Sequence, residues 1–417
     1  MSYRDLYAPY ITPDLEEHRL NVREFAERKL APIRDRYEEL NLDGKGSNFP
    51  WEALKLIGEN GFLAMYIPES YGGRGKPLLY DIITIEEFSR VCGAMASITQ
   101  YTPSLVCSPL LLFGTEEQRR RYLPPLVKGE KLGAFALTEP DVGSDTAAIR
   151  TRAERAGSFY IINGHKKFIT IGNLASIFIV FAKTKPEAGA RGITAFIVER
   201  DMEGVSFPKQ ERKLGLRYIP VSEVKLENVK VPAENVLGGV EMENRGIYIA
   251  LNALDHGRCY VAAQAIGAAQ AALEQALKFA EQRVEFDQPI ISFEAIQWMI
   301  ADMTMRIEAS RLLTYRAAYL RDLAIKGKID SRTVTLPAAI AKCYASETAT
   351  FAAHRSIQIL GGRGYMHDYE YIPVKPLPPL EKIYRDCRIY EIYEGTNEIQ
   401  RYVISREIAR LYGVKIK

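Results

Sequence analysis

The sequence predicts a multidomain chain: an N-terminal α-helical bundle, a middle antiparallel β-barrel or sandwich, and a C-terminal four-helix bundle. Three observations carry this. With 417 residues the chain exceeds what one small core organises, so two or three domains are expected. The spacing of apolar residues changes from helical to strand-like near residue 132 and back near 243, dividing the chain at 1–131, 132–242 and 243–417. The last third contains three long, Ala-rich runs whose apolar faces need one another for burial.

Taken in order, "REFAERKLAPIRDRYEEL" repeats Phe25, Ile33, Tyr37 and Leu40 at mostly helical intervals, with an interruption expected at Pro32. "FPWEALKLIGENG" places Pro50 near a first turn, Trp51, Leu54 and Ile57 on one face, and Gly61 as a stop. "TEEQRRRYL" opens with Thr115 and Gln118 in capping-box spacing. In the middle region, Asn163-Gly164 within "FYIINGHKKFIT" reads as a hairpin turn. "SIFIVFAKT", "GITAFIVERD" and "VSEVKLENVKVP" read as further strands, with no helix between them. The C-terminal helices run through "LDHGRCYVAAQAIGAAQAALEQALKFAEQRV", "FEAIQWMIADMTMRIEASRLLTYRAAYLRDLA" and "PAAIAKCYASETATFAAHRSIQIL". The prolines of "IPVKPLPPL", residues 372–380, forbid regular helix, and this link is expected to bulge from the surface rather than border a site.

Composition narrows the function. A net charge of +3, spread along the chain, leaves no footprint for nucleic acid or an anionic membrane. Five cysteines without C-x-x-C spacing and five scattered histidines exclude a disulfide framework and give no metal site, as expected of a reduced intracellular protein. Neither a leader peptide nor an apolar span long enough for a membrane helix is visible, so the expected location is cytoplasmic. The sequence lacks a strand-associated G-x-G-x-x-G and a G-x-x-x-x-G-K-[ST], which disfavours a nicotinamide Rossmann enzyme and a P-loop nucleotidase.

Several stretches nevertheless carry chemistry. "AFALTEPDVGSD" offers the hydroxyls of Thr138 and Ser144, close backbone approach at Gly143, and apolar cover from Phe135 and Leu137. Near the C-terminus, "IYEGTNEIQR" sets Glu394 beside Gly395. On its own such a pair reads as a surface carboxylate before a helix. Together with "KKFITIGN" and "SIQILGGRGY", in this order and spacing, these segments resemble the acyl-CoA dehydrogenases over essentially the whole chain.

The resemblance implies FAD as cofactor and α,β-dehydrogenation of an acyl-CoA thioester, as in fatty acid β-oxidation. Glu394 would take the Cα proton while hydride passes from Cβ to flavin N5. Its own N–H and the open backbone at Gly395 would accommodate the thioester carbonyl, and Tyr393 would wall the acyl pocket. Phe135, Leu137, Thr138, Gly143 and Ser144 would line the isoalloxazine with Phe168, Ile169 and Thr170. Ser144 would also face substrate, and Thr396 and Glu398 would reach the FAD. Arg283 and Phe286 of "RVEFDQPI", with Gln358 and Gly362, would hold the FAD diphosphate and adenine end across a subunit boundary. Asp287 departs there from the family's usual Gly. "LDHGR" would meet the CoA portion through Asp255 and Arg258, and Gly257 occupies the place where some relatives carry the base. Ala96 stands where glutaryl-specific relatives place an Arg. The implied partners are electron-transfer flavoprotein and three further copies of the chain, as a homotetramer built from two dimers. Two alternatives stay open: an acyl-CoA oxidase using O2, and a non-catalytic relative that binds flavin and nucleic acid.

Overall fold

The computed structural model describes residues 7, 10–367 and 373–416. Helix α1 (Pro13–Phe25) is capped by Thr12 and runs through a π turn at Ala26–Leu30 into α2 (Ala31–Leu40). The irregularity thus falls just before Pro32, whose ring cannot sit against a regular preceding turn. In α3 (Trp51–Glu59), Leu54 and Ile57 are buried but Trp51 is 50% exposed. This departs from the expected common face, because Trp51 opens the helix and its ring packs on Phe49 instead, at 4.9 Å. Next come α4 (Leu78–Val91), α5 (Gly93–Thr102), α6 (Ser108–Phe113) and α7 (Glu116–Val127), the last with both bonds of the Thr115/Gln118 capping box.

The middle region is one curled, seven-stranded mixed sheet, in which β1 (Gly133–Ala136) runs parallel to β4 (Ile177–Lys183). Most pairings are antiparallel as expected, and the parallel approach of β1 to β4 is the departure. Strand β4 bears antiparallel β5 (Ile193–Glu199) along one edge and β1 on the other, where β2 (Arg152–Ala156) also joins at Arg152. Asn163-Gly164 is not a turn. It lies within β3 (Phe159–Thr170), while the two-residue turn is Gly157-Ser158, with Gly157 at φ 66°. The short strand β6 (Val205–Ser206) edges β7 (Val221–Pro232), and β7 spans both halves of β3, so the Asn-Gly pair becomes a bulge rather than a reversal. Asn163 and Asn228 brace it: the Asn228 N–H donates to Asn163 Oδ1 at 2.7 Å.

Helix α8 (Gly246–Gln282) organises the remainder. It packs on α4, on α9 (Glu294–Ile325) and on α10 (Thr335–Leu360). Its small residues permit this: a Cβ at Gly267 would lie 2.1 Å from the Glu86 carbonyl of α4. Gly361, at φ 61°, stops α10. Helices α11 (Gly362–Tyr365), α12 (Leu380–Cys387) and α13 (Asn397–Leu411) complete the chain. Ile372 of the Pro-rich link lies outside the described residues. The rest does not bulge freely: Leu377 is fully buried, and the Pro376 carbonyl accepts from buried Arg34 at 2.7 Å.

Candidate active site

Glu394 follows the short helical turn Arg388–Glu391 and precedes α13, and the loop between them is bent by two successive left-handed residues. Glu394 has φ 54° and Gly395 φ 91°. For Glu such a backbone costs about 1–2 kcal/mol, which surrounding contacts must offset. The reversal turns the carboxylate inward onto α8. A Cβ at Gly257 would stand 2.0 Å from Glu394 Oε2, so only glycine leaves the carboxylate where it lies. Both carboxylate oxygens are buried and lack a hydrogen-bond partner among the described residues.

Burial pushes the Glu394 carboxyl up to about 7, against the opposing pull of Arg258 and Lys342. Arg258 donates from Nε to the Glu394 carbonyl at 3.3 Å and pairs with Asp255 at 2.5 Å. Asp255 in turn accepts from the Thr335 hydroxyl at 2.6 Å. Both members of the pair are almost fully buried, so the structure turns Arg258 toward the Glu394 loop rather than outward to solvent. Lys342 of α10 donates to the Gly395 carbonyl and to Asn397 Oδ1, each at 2.9 Å. Gln400 Nε2 donates to the Gly395 carbonyl at 3.1 Å. Burial lowers the Lys342 ammonium to about 8. Sequence reasoning passed over Lys342, Gln400 and Asn397. A single lysine in the alanine-rich run of α10 was the available signal, since a charge on an apolar helix needs a buried partner.

Tyr393 faces the N-terminal helices. Its hydroxyl donates to Gln264 Oε1 at 2.7 Å, and Gln100 of α5 donates to the same oxygen. Tyr101 stands edge-on to Tyr393. None of Gln100, Tyr101 or Gln264 was singled out from sequence. Ala96 is fully buried in the same helix, α5.

The residues expected to line the isoalloxazine lie on β1, its following loop and β3. Phe135 is half-buried and Leu137 buried, the latter with its carbonyl held by Lys166 Nζ at 3.1 Å. Thr138 holds the Lys167 N–H through its carbonyl at 2.9 Å. Strand β3 breaks register between Lys166 and Ile169, and Phe168, at φ 58°, turns its ring out to 57% exposure while Ile169 stays buried. Thr170 lies beside Tyr101, which links this wall to the Glu394 side. Around the Cβ position of Gly143 there is open space, and Ser144 is exposed. Exposed hydroxyl, backbone and aromatic surfaces of this kind suit the polar rim and flat face of an isoalloxazine.

Other expected contacts lie elsewhere. Thr396 caps α13, accepting from the Ile399 N–H at 3.4 Å, and Glu398 is exposed. Arg283 ends α8 and pairs with Glu285. Phe286 and Asp287, at φ 51° and 60°, form the turn between β8 (Val284–Glu285) and β9 (Gln288–Pro289), and Phe286 is 87% exposed. Gln358 and Gly362 are exposed at the end of α10. From Gly257 to Arg283 the helix advances roughly 39 Å at 1.5 Å per residue, so this second cluster is remote from the chain's own Glu394.

Comparison with known proteins identifies the fold and the family. The acyl-CoA dehydrogenase N-terminal, middle and C-terminal domain families match residues 12–130, 134–229 and 244–409. An acyl-CoA dehydrogenase of Bacillus subtilis is 42% identical over 398 residues, covering 95% of this chain and 98% of that protein. The CarC subunit of the caffeyl-CoA reductase-Etf complex of Acetobacterium woodii is 43% identical over 385 residues, 92% of this chain and 95% of that one. The solved butyryl-CoA dehydrogenase from Megasphaera elsdenii superposes with a TM-score of 0.86 at 39% identity, covering 96% of this chain and 99% of that one. The chain belongs to the acyl-CoA dehydrogenase family, FAD-dependent oxidoreductases acting on CH–CH donors.

Proposed function

We propose that the protein converts an acyl-CoA thioester to its trans-2-enoyl-CoA with Glu394 as the base. The buried, unpartnered Glu394 carboxylate, set against Gly257, carries this reading. A carboxylate poised near neutrality takes the Cα proton, and its uncompensated charge is relieved as the proton arrives. The Glu394 N–H polarises the thioester carbonyl where enolate charge develops. Arg258, Lys342 and Gln400 hold the left-handed loop, so Asp255 and Arg258 act here as positioning residues rather than as CoA contacts. FAD, held along Phe135, Leu137, Thr138, Gly143, Ser144, Phe168, Ile169 and Thr170, supplies the hydride acceptor for Cβ. Thr396 and Glu398 stay assigned to its edge.

The electrons leave to electron-transfer flavoprotein, a reading supported by the Etf-complex relative, and the assembly is a homotetramer acting in β-oxidation in the cytoplasm. Among the described residues no helix is long and apolar enough to cross a membrane. The test is anaerobic mixing of holoenzyme with acyl-CoA. Wild type bleaches its flavin, and Glu394→Gln binds acyl-CoA but is slowed by ~10²–10⁴-fold or more. Turnover by that variant within a few-fold of wild type removes Glu394 from the role. Rapid peroxide release in air would favour an oxidase instead.

A further inference from the structure

Asp386 of α12 is buried and holds two regions of the chain at once. Its Oδ2 accepts from the buried Lys382 Nζ at 2.5 Å, and its Oδ1 accepts from the Leu216 N–H at 2.6 Å. Leu216 has left-handed backbone, φ 47°, which a residue with a Cβ adopts only under constraint. The same loop is pressed onto α12. A Cβ at Gly215 would lie 2.3 Å from the Arg385 carbonyl, and Arg385 Nη1 donates to the Leu214 carbonyl at 3.2 Å. On the far side, Lys382 and Arg385 meet Glu38 of α2 at 3.2 and 2.9 Å.

Both ends of this joint lead into the site. Beyond Leu216 the loop reaches Pro220, whose carbonyl accepts from the Ile171 N–H at 2.7 Å, and Val221 then pairs with Thr170. Beyond Asp386 the chain passes through the turn Arg388–Glu391 to Glu394. The side chains that hold the Glu394 loop, Arg258, Lys342 and Gln400, all belong to the C-terminal region and do not by themselves fix its distance from the middle sheet. The Asp386–Leu216 bond ties one to the other. A reaction that sends the Cα proton to Glu394 and the Cβ hydride to FAD depends on the spacing of the two acceptors. We propose that Asp386 is a positioning residue that sets this spacing through the Leu216 N–H. The inference rests on the reading of Glu394 as base and of FAD along the wall that contains Thr170.

The experiment measures two rates in holoenzyme with butyryl-CoA. Anaerobic flavin bleaching needs both transfers. With the flavin first reduced by dithionite no hydride acceptor is left, and exchange of the Cα hydrogen for solvent deuterium, read by mass spectrometry, reports Glu394 alone. Asp386→Ala should slow bleaching on the order of 10²-fold, the scale of a misplacement of about 1 Å, while Cα exchange and FAD content stay within a few-fold of wild type. Gly215→Ala, which forces the loop off α12 and leaves Asp386 in place, should separate the two rates in the same direction. Asp386→Asn keeps an acceptor for the Leu216 N–H and should bleach within about tenfold of wild type. Parallel loss of both rates in folded Asp386→Ala or Gly215→Ala overturns the inference, and so does wild-type bleaching in either. If Asp386→Ala does not fold, Gly215→Ala and Asp386→Asn decide, and an Asp386→Asn slowed on the order of 10²-fold counts against it. Wild type that exchanges the Cα hydrogen no faster than Glu394→Gln removes the underlying base reading instead.

Discussion

A buried carboxylate without a hydrogen-bond partner is expensive when charged, and Glu394 resolves this by titrating near neutrality. In the proposed role the reactive form is the deprotonated one, so the rate should rise with pH through about 7 and fall below it. Arg258 and Lys342 both favour the carboxylate, so Lys342→Met should move that midpoint upward. A stopped-flow pH profile of flavin bleaching in the two proteins checks the sign, and a downward shift would contradict it. Gly257→Ala is the complementary change. Its methyl would overlap the base, and a displacement of about 1 Å costs on the order of 10²-fold in rate. Conversely, Glu394→Gly should be inactive and the added Gly257→Glu should restore measurable bleaching, since that position faces the same space. At this scale the motif made Glu394 and Gly257 legible. Lys342, Gln264 and Tyr101 were not, because each matters through a neighbour more than 50 residues away in sequence, which local pattern does not encode.

Among the elements, helices were more legible than strands, and the reason is physical. A helix satisfies its backbone locally, so caps such as Thr115 and stops such as Gly361 act through adjacent residues. A strand's fate depends on its partner. Asn163-Gly164 has hairpin chemistry, yet β7 pairs on either side of it and holds the strand extended. Thr151 then explains the glycine: its Oγ1 would lie 2.2 Å from a Cβ at position 164. Thr151 also bonds Glu139, the partner of buried Lys166 beneath the flavin-side loop. Gly164→Val should therefore lower stability by about 1–3 kcal/mol, the usual cost of overpacking, in a denaturant titration. It should also weaken FAD retention, because the displaced Thr151 disturbs the Glu139–Lys166 support. A variant as stable as wild type would show that the bulge yields freely. The Pro-rich link taught the opposite lesson: its composition suggested surface, but Leu377 and the Pro376 carbonyl tie it to the N-terminal helices.

On the scale of the whole molecule, α8 sets the distance between the place the resemblance gives the base and a second cluster it gives the FAD diphosphate and adenine end. One lies at Gly257 and Glu394. The other lies at Arg283, Phe286, Gln358 and Gly362, roughly 39 Å along the helix, farther than an extended dinucleotide spans. With FAD beside Glu394 as proposed, one chain's Arg283 stands far from its own flavin, and in the proposed tetramer a neighbouring subunit's flavin is the target. The hairpin is built for outward contact. Phe286 and Asp287 both hold left-handed backbone, and the Phe286 ring is 87% exposed, a poor arrangement for an isolated chain. Asp287 adds a carboxylate beside Arg283, already paired with Glu285, so diphosphate binding requires that pair to part. Arg283→Ala should then lose FAD and assembly together, seen as a lowered flavin-to-protein absorbance ratio and later elution on size exclusion. Asp287→Gly should do the reverse, relieving both backbone strain and repulsion, and slow FAD release on dilution. Full FAD occupancy in an Arg283→Ala monomer would place the diphosphate elsewhere and sever the cofactor from the quaternary structure.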